Sequence, residues 1–234
     1  MLKDILDKFY LDRQRDREQQ HFYITDAGKC GRAIFFKFKN VPRAAMEPHI
    51  LRMFDRGDYL QMQILNALFS TGVVRASEVV IPPQQLISGR ADAIITLNNE
   101  LYVVDFKSMN SMIFRTLEKA KEENINQLQL YLHYFKIPKG ILLYINKDNL
   151  ELKEFVIQYD PKLVKSLLED LEVLKSKIDS NVVPDRLEDY PENWQCMYCQ
   201  FKEICAMAGP KEVSWQDFKN KVESIKAINN GKAS

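Results

Sequence analysis

Two aspartates and a lysine lie on β-rich stretches separated by a turn sequence: Asp92, then Asn98-Asn99, then Asp105 and Lys107. Adjacent asparagines tolerate the positive φ of a two-residue type I′ turn, so residues 88–107 read as a β-hairpin. With Asn98 and Asn99 as the loop, Leu97 pairs with Glu100, and equal steps outward set Asp92 opposite Asp105. Directly opposed side chains on antiparallel strands have Cβ atoms about 4.5–5.5 Å apart, and like charges there repel. A divalent cation relieves that repulsion. Alternation along the strand puts Lys107 on the face of Asp105, with Arg90 opposing it. Oxygen ligands with open positions suit Mg²⁺ or Mn²⁺, which activate water and neutralise phosphate charge. The lysine can orient that water or stabilise developing negative charge. The same residues also fit a decorated sheet, in which each aspartate pairs with Arg90, Lys107 or solvent.

A second set of reactive side chains is the four cysteines. Cys30 stands alone near the start, while Cys196, Cys199 and Cys205 fall within ten residues near the end. The Cys-x2-Cys knuckle with a third thiol beyond it is metal-ligand spacing, and Cys30 closes the set, so the two ends of the chain are expected to meet at a metal. Two disulfides would also use four cysteines. The first twenty residues are charged throughout and lack the apolar core of a signal peptide, so a reducing, cytoplasmic setting is expected. Zinc and an iron–sulfur cluster both accept four thiolates; one local pair plus two outliers leans towards iron–sulfur, and small buried hydrophobes are the plain alternative.

The elements that must hold these groups follow from periodicity. Apolar residues at helical spacing mark residues 1–20, 27–37, 49–70 and 161–180 as helices. Residues 79–81, 86–97, 101–107, 140–146 and 151–159 read as strands, interrupted by one helix over 114–135. On that helix Glu123, Gln127 and Tyr131 recur at steps of four and share a face, which an ordinary amphipathic helix would also show. The fold class is therefore α/β with a central mixed sheet, and residues 221–234 grade into a polar tail.

Bulk properties bound the partners. The 234 residues are 46% hydrophobic, enough for one large domain or two small ones. No apolar run approaches the roughly 20 residues of a membrane span, so no membrane partner is expected. With 33 basic residues against 32 acidic, a net charge of +1 gives no global sign of a polyanionic partner. Any nucleic-acid surface must be local, for which Lys37, Lys39 and Arg43, Arg52 and Arg56, and Arg115, Lys119 and Lys121 are candidates.

Taken together, Gly89-Arg90-Ala91-Asp92, Asp105-Phe106-Lys107 and Gln127-Leu128-Gln129-Leu130-Tyr131 resemble, in order and spacing, the PD-(D/E)xK nuclease superfamily in its RecB-like branch. The cysteine layout, with Cys30-Gly31-Arg32 leading, is similar to the subset of that branch carrying a 4Fe-4S cluster, which includes the CRISPR adaptation nucleases and AddAB-type nuclease domains. The resemblance covers about residues 22–206. It implies a restriction-endonuclease-like core whose N- and C-terminal segments are clasped by the four-cysteine cluster. By it, residues 1–206 form a single iron–sulfur nuclease domain, with a core at about 73–160 and cluster-binding segments at about 22–45 and 184–206. Residues 207–234 follow as a C-terminal helix and tail.

The resemblance also implies roles. Asp92 and Asp105 become metal ligands with the Phe106 carbonyl helping, Lys107 serves the nucleophilic water, and Gln127 and Tyr131 support the site and the DNA. The family's histidine ligand, four residues after a glycine, is here Gly57-Asp58-Tyr59-Leu60-Gln61, so Gln61 would coordinate through its amide oxygen, a weaker ligand. The expected activity is a Mg²⁺- or Mn²⁺-dependent deoxyribonuclease, an exonuclease on single-stranded DNA or DNA ends, in CRISPR adaptation or recombination and repair. The alternative is a non-catalytic DNA-binding subunit assisting an integrase or helicase partner.

Overall fold

The computed structural model describes residues 1–14, 18–81 and 86–231, with side chains as far as residue 223 at the C-terminal end. Residues 15–17 of the first expected helix and 232–234 of the expected tail lie outside these. The chain divides into two compact units, one made of Met1–Phe22, Gly28–Pro48 and Glu169–Ser234, the other of Tyr23–Ala27 and His49–Leu168. The sequence reading had one domain over 1–206; its core at 73–160 falls wholly in the second unit.

The second unit is built on five strands, β1 (Val74–Val80), β2 (Arg90–Leu97), β3 (Glu100–Met109), β4 (Lys139–Asn146) and β5 (Leu152–Gln158), which lie side by side in that order. β3 and β4 run parallel and the other pairs antiparallel, so the sheet is mixed as expected. The parallel step needs a crossover. It is supplied by helices α4 (Ser111–Arg115) and α5 (Glu122–Phe135), where one continuous helix over 114–135 was expected. The break is held from β5, where Lys153 Nζ donates to the carbonyls of Phe114 at 2.7 Å and Leu117 at 3.0 Å. Tyr144 Oη on β4 accepts from the Lys121 amide and from Asn124 as the helix restarts. These partners are distant in sequence, so helical periodicity alone could not reveal the interruption.

One face of the sheet packs on α3 (Pro48–Ser70). Leu60 and Leu65 of this helix join Ala93, Ile95, Val104, Phe106, Ile141 and Ile145 in one buried cluster. α5 packs so closely on β4 that a Cβ on Gly140 would stand 2.8 Å from Leu128 Cδ1.

The first unit contains α1 (Leu2–Asp12) and α2 (Gly31–Phe38), and towards the C-terminus α7 (Trp194–Met197), α8 (Lys202–Met207) and α9 (Trp215–Gly231). Between the two units in sequence runs α6 (Pro161–Asp179). The expected polar tail from residue 221 is corrected: the helix runs through Gly231. Trp215, Phe218 and Val222 recur at helical spacing, and the last two are buried. Phe218 stacks on Phe36 and Trp215 meets Phe35 edge-on, so an aromatic cluster anchors this helix to α2. α2 begins later than the expected Ala27, because Ile24–Asp26 form a separate 3₁₀ turn.

Candidate active site

The hairpin forms with the expected register. Asn98 and Asn99 both take positive φ, 49° and 66°, and Leu97 faces Glu100. The ladder continues outward to Ala93 and Val104 and stops there. One step further, where Asp92 and Asp105 would meet, the Asp92 carboxylate reaches across instead, and Oδ2 accepts the Phe106 backbone N–H at 2.7 Å. The two acids thus remain neighbours on adjacent strands, tied through the backbone of β3.

Asp105 is 2% exposed, and Oδ2 lies 2.7 Å from Lys107 Nζ. That oxygen makes no hydrogen bond among the described residues beyond this ion pair. Lys107 Nζ also donates to Gln127 Oε1 at 2.9 Å, while Gln127 Nε2 donates to Asp105 Oδ1 at 3.2 Å. Carboxylate, ammonium and carboxamide therefore form a closed triangle, with the amide reading both charges through its two ends. Tyr131, one turn further along α5, is buried and donates its hydroxyl to the Arg90 carbonyl at 2.6 Å. The hydroxyl thereby ties α5 to β2, beside Gln127 and the two aspartates.

Burial dominates the electrostatics of the pair. Asp92 is pushed up to about 7, first by desolvation and then by the charge of Asp105, against the pull of the Phe106 amide and Lys107. Asp105 is also raised by its burial, which the Lys107 charge opposes. Tyr131 is pushed up to about 12 by desolvation. Two acids that resist ionisation side by side, one holding a buried oxygen without a hydrogen bond, are a donor set that suits a divalent cation.

One expectation is corrected here. Arg90 does not face Lys107; its Nε pairs with Glu78 Oε2 at 2.7 Å, across to β1. The Gln61 amide donates to Glu78 Oε1 at 3.4 Å. Glu78 thus joins the neighbourhood as a residue the sequence reading missed, and its charge adds to the pressure on Asp92. It holds φ at 54° inside a strand, a conformation an acidic side chain adopts only under tertiary constraint. Its signal in the sequence was only its register position, since Ser77 faces Ala93 and Val79 faces Ala91, which leaves Glu78 level with Asp92.

Phe106, Lys107 and Gln61 also line a cleft of about 690 Å³, together with Met53, Phe54, Gly57 and Asp58 of α3. A Cβ on Gly57 would approach Ser108 Oγ to 3.1 Å, so glycine lets α3 lie close to β3 along this wall.

In the first unit the four cysteines line a single small cavity, so the two ends of this unit do meet. Among the described residues no three His, Cys, Asp or Glu side chains are gathered as a formed metal centre. The surroundings nonetheless fit thiolates. Arg32 is 1% exposed, and its guanidinium donates to the carbonyls of Pro184, Gly209 and Lys211 and to Cys205 Sγ. Arg186 lines the same cavity, with its Nε buried and without a hydrogen-bond partner among the described residues. The Phe201 amide donates to Cys199 Sγ at 3.4 Å. Burial pushes the Cys30, Cys196 and Cys199 thiols up, and neighbouring cysteines add to it, the repulsion that a shared cationic centre would remove.

The chain is similar to known proteins over most of its length. The CRISPR-associated exonuclease Cas4 of Saccharolobus solfataricus is 29% identical over 197 residues, which cover 81% of this chain and 89% of that protein. The solved structure of SSO0001 superposes with a TM-score of 0.58 at 26% identity, over 88% of this chain and 97% of the other. An alkaline exonuclease from Laribacter hongkongensis shares the fold, with a TM-score of 0.52 at 12% identity over 74% of this chain and 92% of that one. The model of the PD-(D/E)XK nuclease superfamily matches residues 12–206, and the chain belongs to that superfamily.

Proposed function

We propose that this chain is a divalent-cation-dependent deoxyribonuclease, acting as an exonuclease on single strands or DNA ends. The observation that carries the reading is the Asp105–Lys107–Gln127 triangle set beside Asp92. Asp92, Asp105 and the Phe106 carbonyl would hold Mg²⁺ or Mn²⁺, which supplies charge neutralisation at the phosphate and activation of water. Lys107, fixed by Gln127, holds the attacking water in line and steadies charge on the phosphoryl oxygens. The water oxygen bonds to phosphorus, one ester P–O bond breaks, and the departing oxygen takes a proton.

Cys30, Cys196, Cys199 and Cys205 would hold a 4Fe-4S cluster as a structural centre of the first unit. Two arginines lining the cavity support four thiolates gathered around a cationic iron–sulfur core there. Visible absorbance and a brown colour after anaerobic purification are expected; a colourless, zinc-loaded protein contradicts the cluster while leaving the nuclease reading intact. The likeness to a CRISPR-associated exonuclease favours a CRISPR setting over general recombination or repair, and an integrase or a helicase is the proposed protein partner.

A second reading rests on Gln61. Its turn towards Glu78 removes a ligand from the cation, which favours a DNA-binding subunit that does not cut. Cleavage of single-stranded DNA with Mg²⁺ or Mn²⁺ by the parent, Asp105→Ala and Lys107→Ala separates the two. Cutting by the parent alone is expected. Equal activity in all three sinks the nuclease assignment, and binding without cleavage under either metal selects the second reading.

A further inference from the structure

Met53, Phe54, Phe106 and Ile145 give the cleft beside Lys107 an apolar part among polar and charged neighbours. Met53, Phe54, Gly57, Asp58 and Gln61 recur at three and four residues along α3, so one stripe of the helix forms one wall. The facing wall is the end of the sheet, with Phe106 and Lys107 on β3 and Ile145 and Lys147 at the end of β4. Gln61 and Lys107 line the same cleft as Phe54, so the ring and the lysine of the proposed site share one recess.

Phe54 is 56% exposed and Met53 44%, although Leu60 and Leu65 of the same helix are buried in the core. The two side chains adjoin, so they make one exposed apolar patch on the cleft wall. Lys107 and Lys147 line the same cleft, with Asp58 on the α3 wall. Lys147 Nζ donates to the Met53 carbonyl at 3.2 Å, and the Arg56 guanidinium donates to the Lys147 carbonyl, which ties the end of β4 to α3. An aromatic face in a cleft with two lysines is the chemistry of a base stacked on a ring with its phosphates held by cations.

Size and shape choose between paired and unpaired strands. About 690 Å³ lies within the roughly 300–1,000 Å³ of ligand pockets, the scale of a nucleotide unit entering a cleft. In a duplex both faces of each base are covered by neighbours, so no base can stack on a ring inside such a cleft without first being unpaired. We propose that Phe54 is the stacking platform for a base next to the scissile phosphate, and so a specificity-determining residue for unpaired DNA. The proposal rests on the nuclease reading for the identity of the occupant, and its test is separable from cleavage.

Binding of a fluorescently labelled single-stranded oligonucleotide is followed by anisotropy in EDTA, where no hydrolysis occurs, for the parent, Phe54→Ala and Phe54→Trp. Loss of one base stack is worth about 1–3 kcal/mol, so Phe54→Ala is expected to bind about 5- to 150-fold more weakly, with Phe54→Trp close to the parent. Binding of a blunt duplex of the same sequence should move little. A scan of single abasic sites should find one position that weakens the parent and leaves Phe54→Ala unchanged, because the stack is already gone. Equal single-strand affinity of Phe54→Ala and the parent overturns the platform, as does an equal loss for duplex and single strand. Phe54-dependent binding by a parent that never cleaves overturns only the nuclease.

Discussion

Asp92 stands one residue past the last ladder pair of its hairpin and accepts the Phe106 backbone N–H at 2.7 Å through Oδ2. The carboxylate replaces a strand partner for that amide, while the Phe106 side chain packs with Leu60 and Leu65 on the opposite face. One residue of β3 thereby links the acid to the helix packed behind the sheet.

Gln127 is a positioning residue, bonded to both Lys107 and Asp105. Gln127→Ala should lower the cleavage rate about 10- to 100-fold, the scale found for groups that orient metal-site residues. Gln127→Glu cannot donate to Asp105 when ionised and should lose activity at a Tm close to the parent's. A purely structural role would lower Tm and activity together.

Asp92 gives a pH dependence with a definite sign. Its folded value of about 7 lies above the ordinary 3.8, so across that interval the folded chain holds a proton that the unfolded chain has released. Stability from this group is therefore greatest at low pH and falls as pH rises towards 7. In EDTA, Tm should drop more steeply from pH 5 to pH 8 for the parent than for Asp92→Asn. Mn²⁺ at pH 8 should recover the parent and not the variant; identical pH slopes in EDTA contradict the assignment.

Arg32 spends its guanidinium on carbonyls of residues 184, 209 and 211. Removing it leaves buried acceptors unpaired, at about 1–3 kcal/mol each. On the proposed iron–sulfur reading, Arg32→Ala should lose both its thermal transition near the parent's Tm and its iron, whereas Lys153→Ala, in the other unit, should leave the iron content unchanged.

Gly140 meets Leu128 where α5 crosses β4. Gly140→Ala should destabilise by about 1–3 kcal/mol through overpacking, and Leu128→Ala should cost about 2–5 kcal/mol through a cavity. The double variant should be less destabilised than the sum, since the added methyl occupies space the leucine vacates. Additive losses in denaturant titrations would show that the two do not share that contact.

What could be read without a structure was whatever local chemistry enforces. Asn98-Asn99 set the turn, the turn set the register, and strict alternation then placed Asp92 by Asp105 and Lys107 beside Asp105 on one face. Periodicity fixed α3 nearly to its ends, Pro48–Ser70, because a 23-residue amphipathic stripe leaves little choice. The cysteine spacing paired the ends of the first unit. Contacts distant in sequence decided the rest. Lys153 and Tyr144 broke the crossover helix in two, Glu78 drew Arg90 away from its expected place and took a bond from Gln61, and the carbonyls around Arg32 turned a motif residue into a buried tether. Each of these depends on a polar partner many residues away, and no spacing rule fixes where the packed chain will bring such a partner.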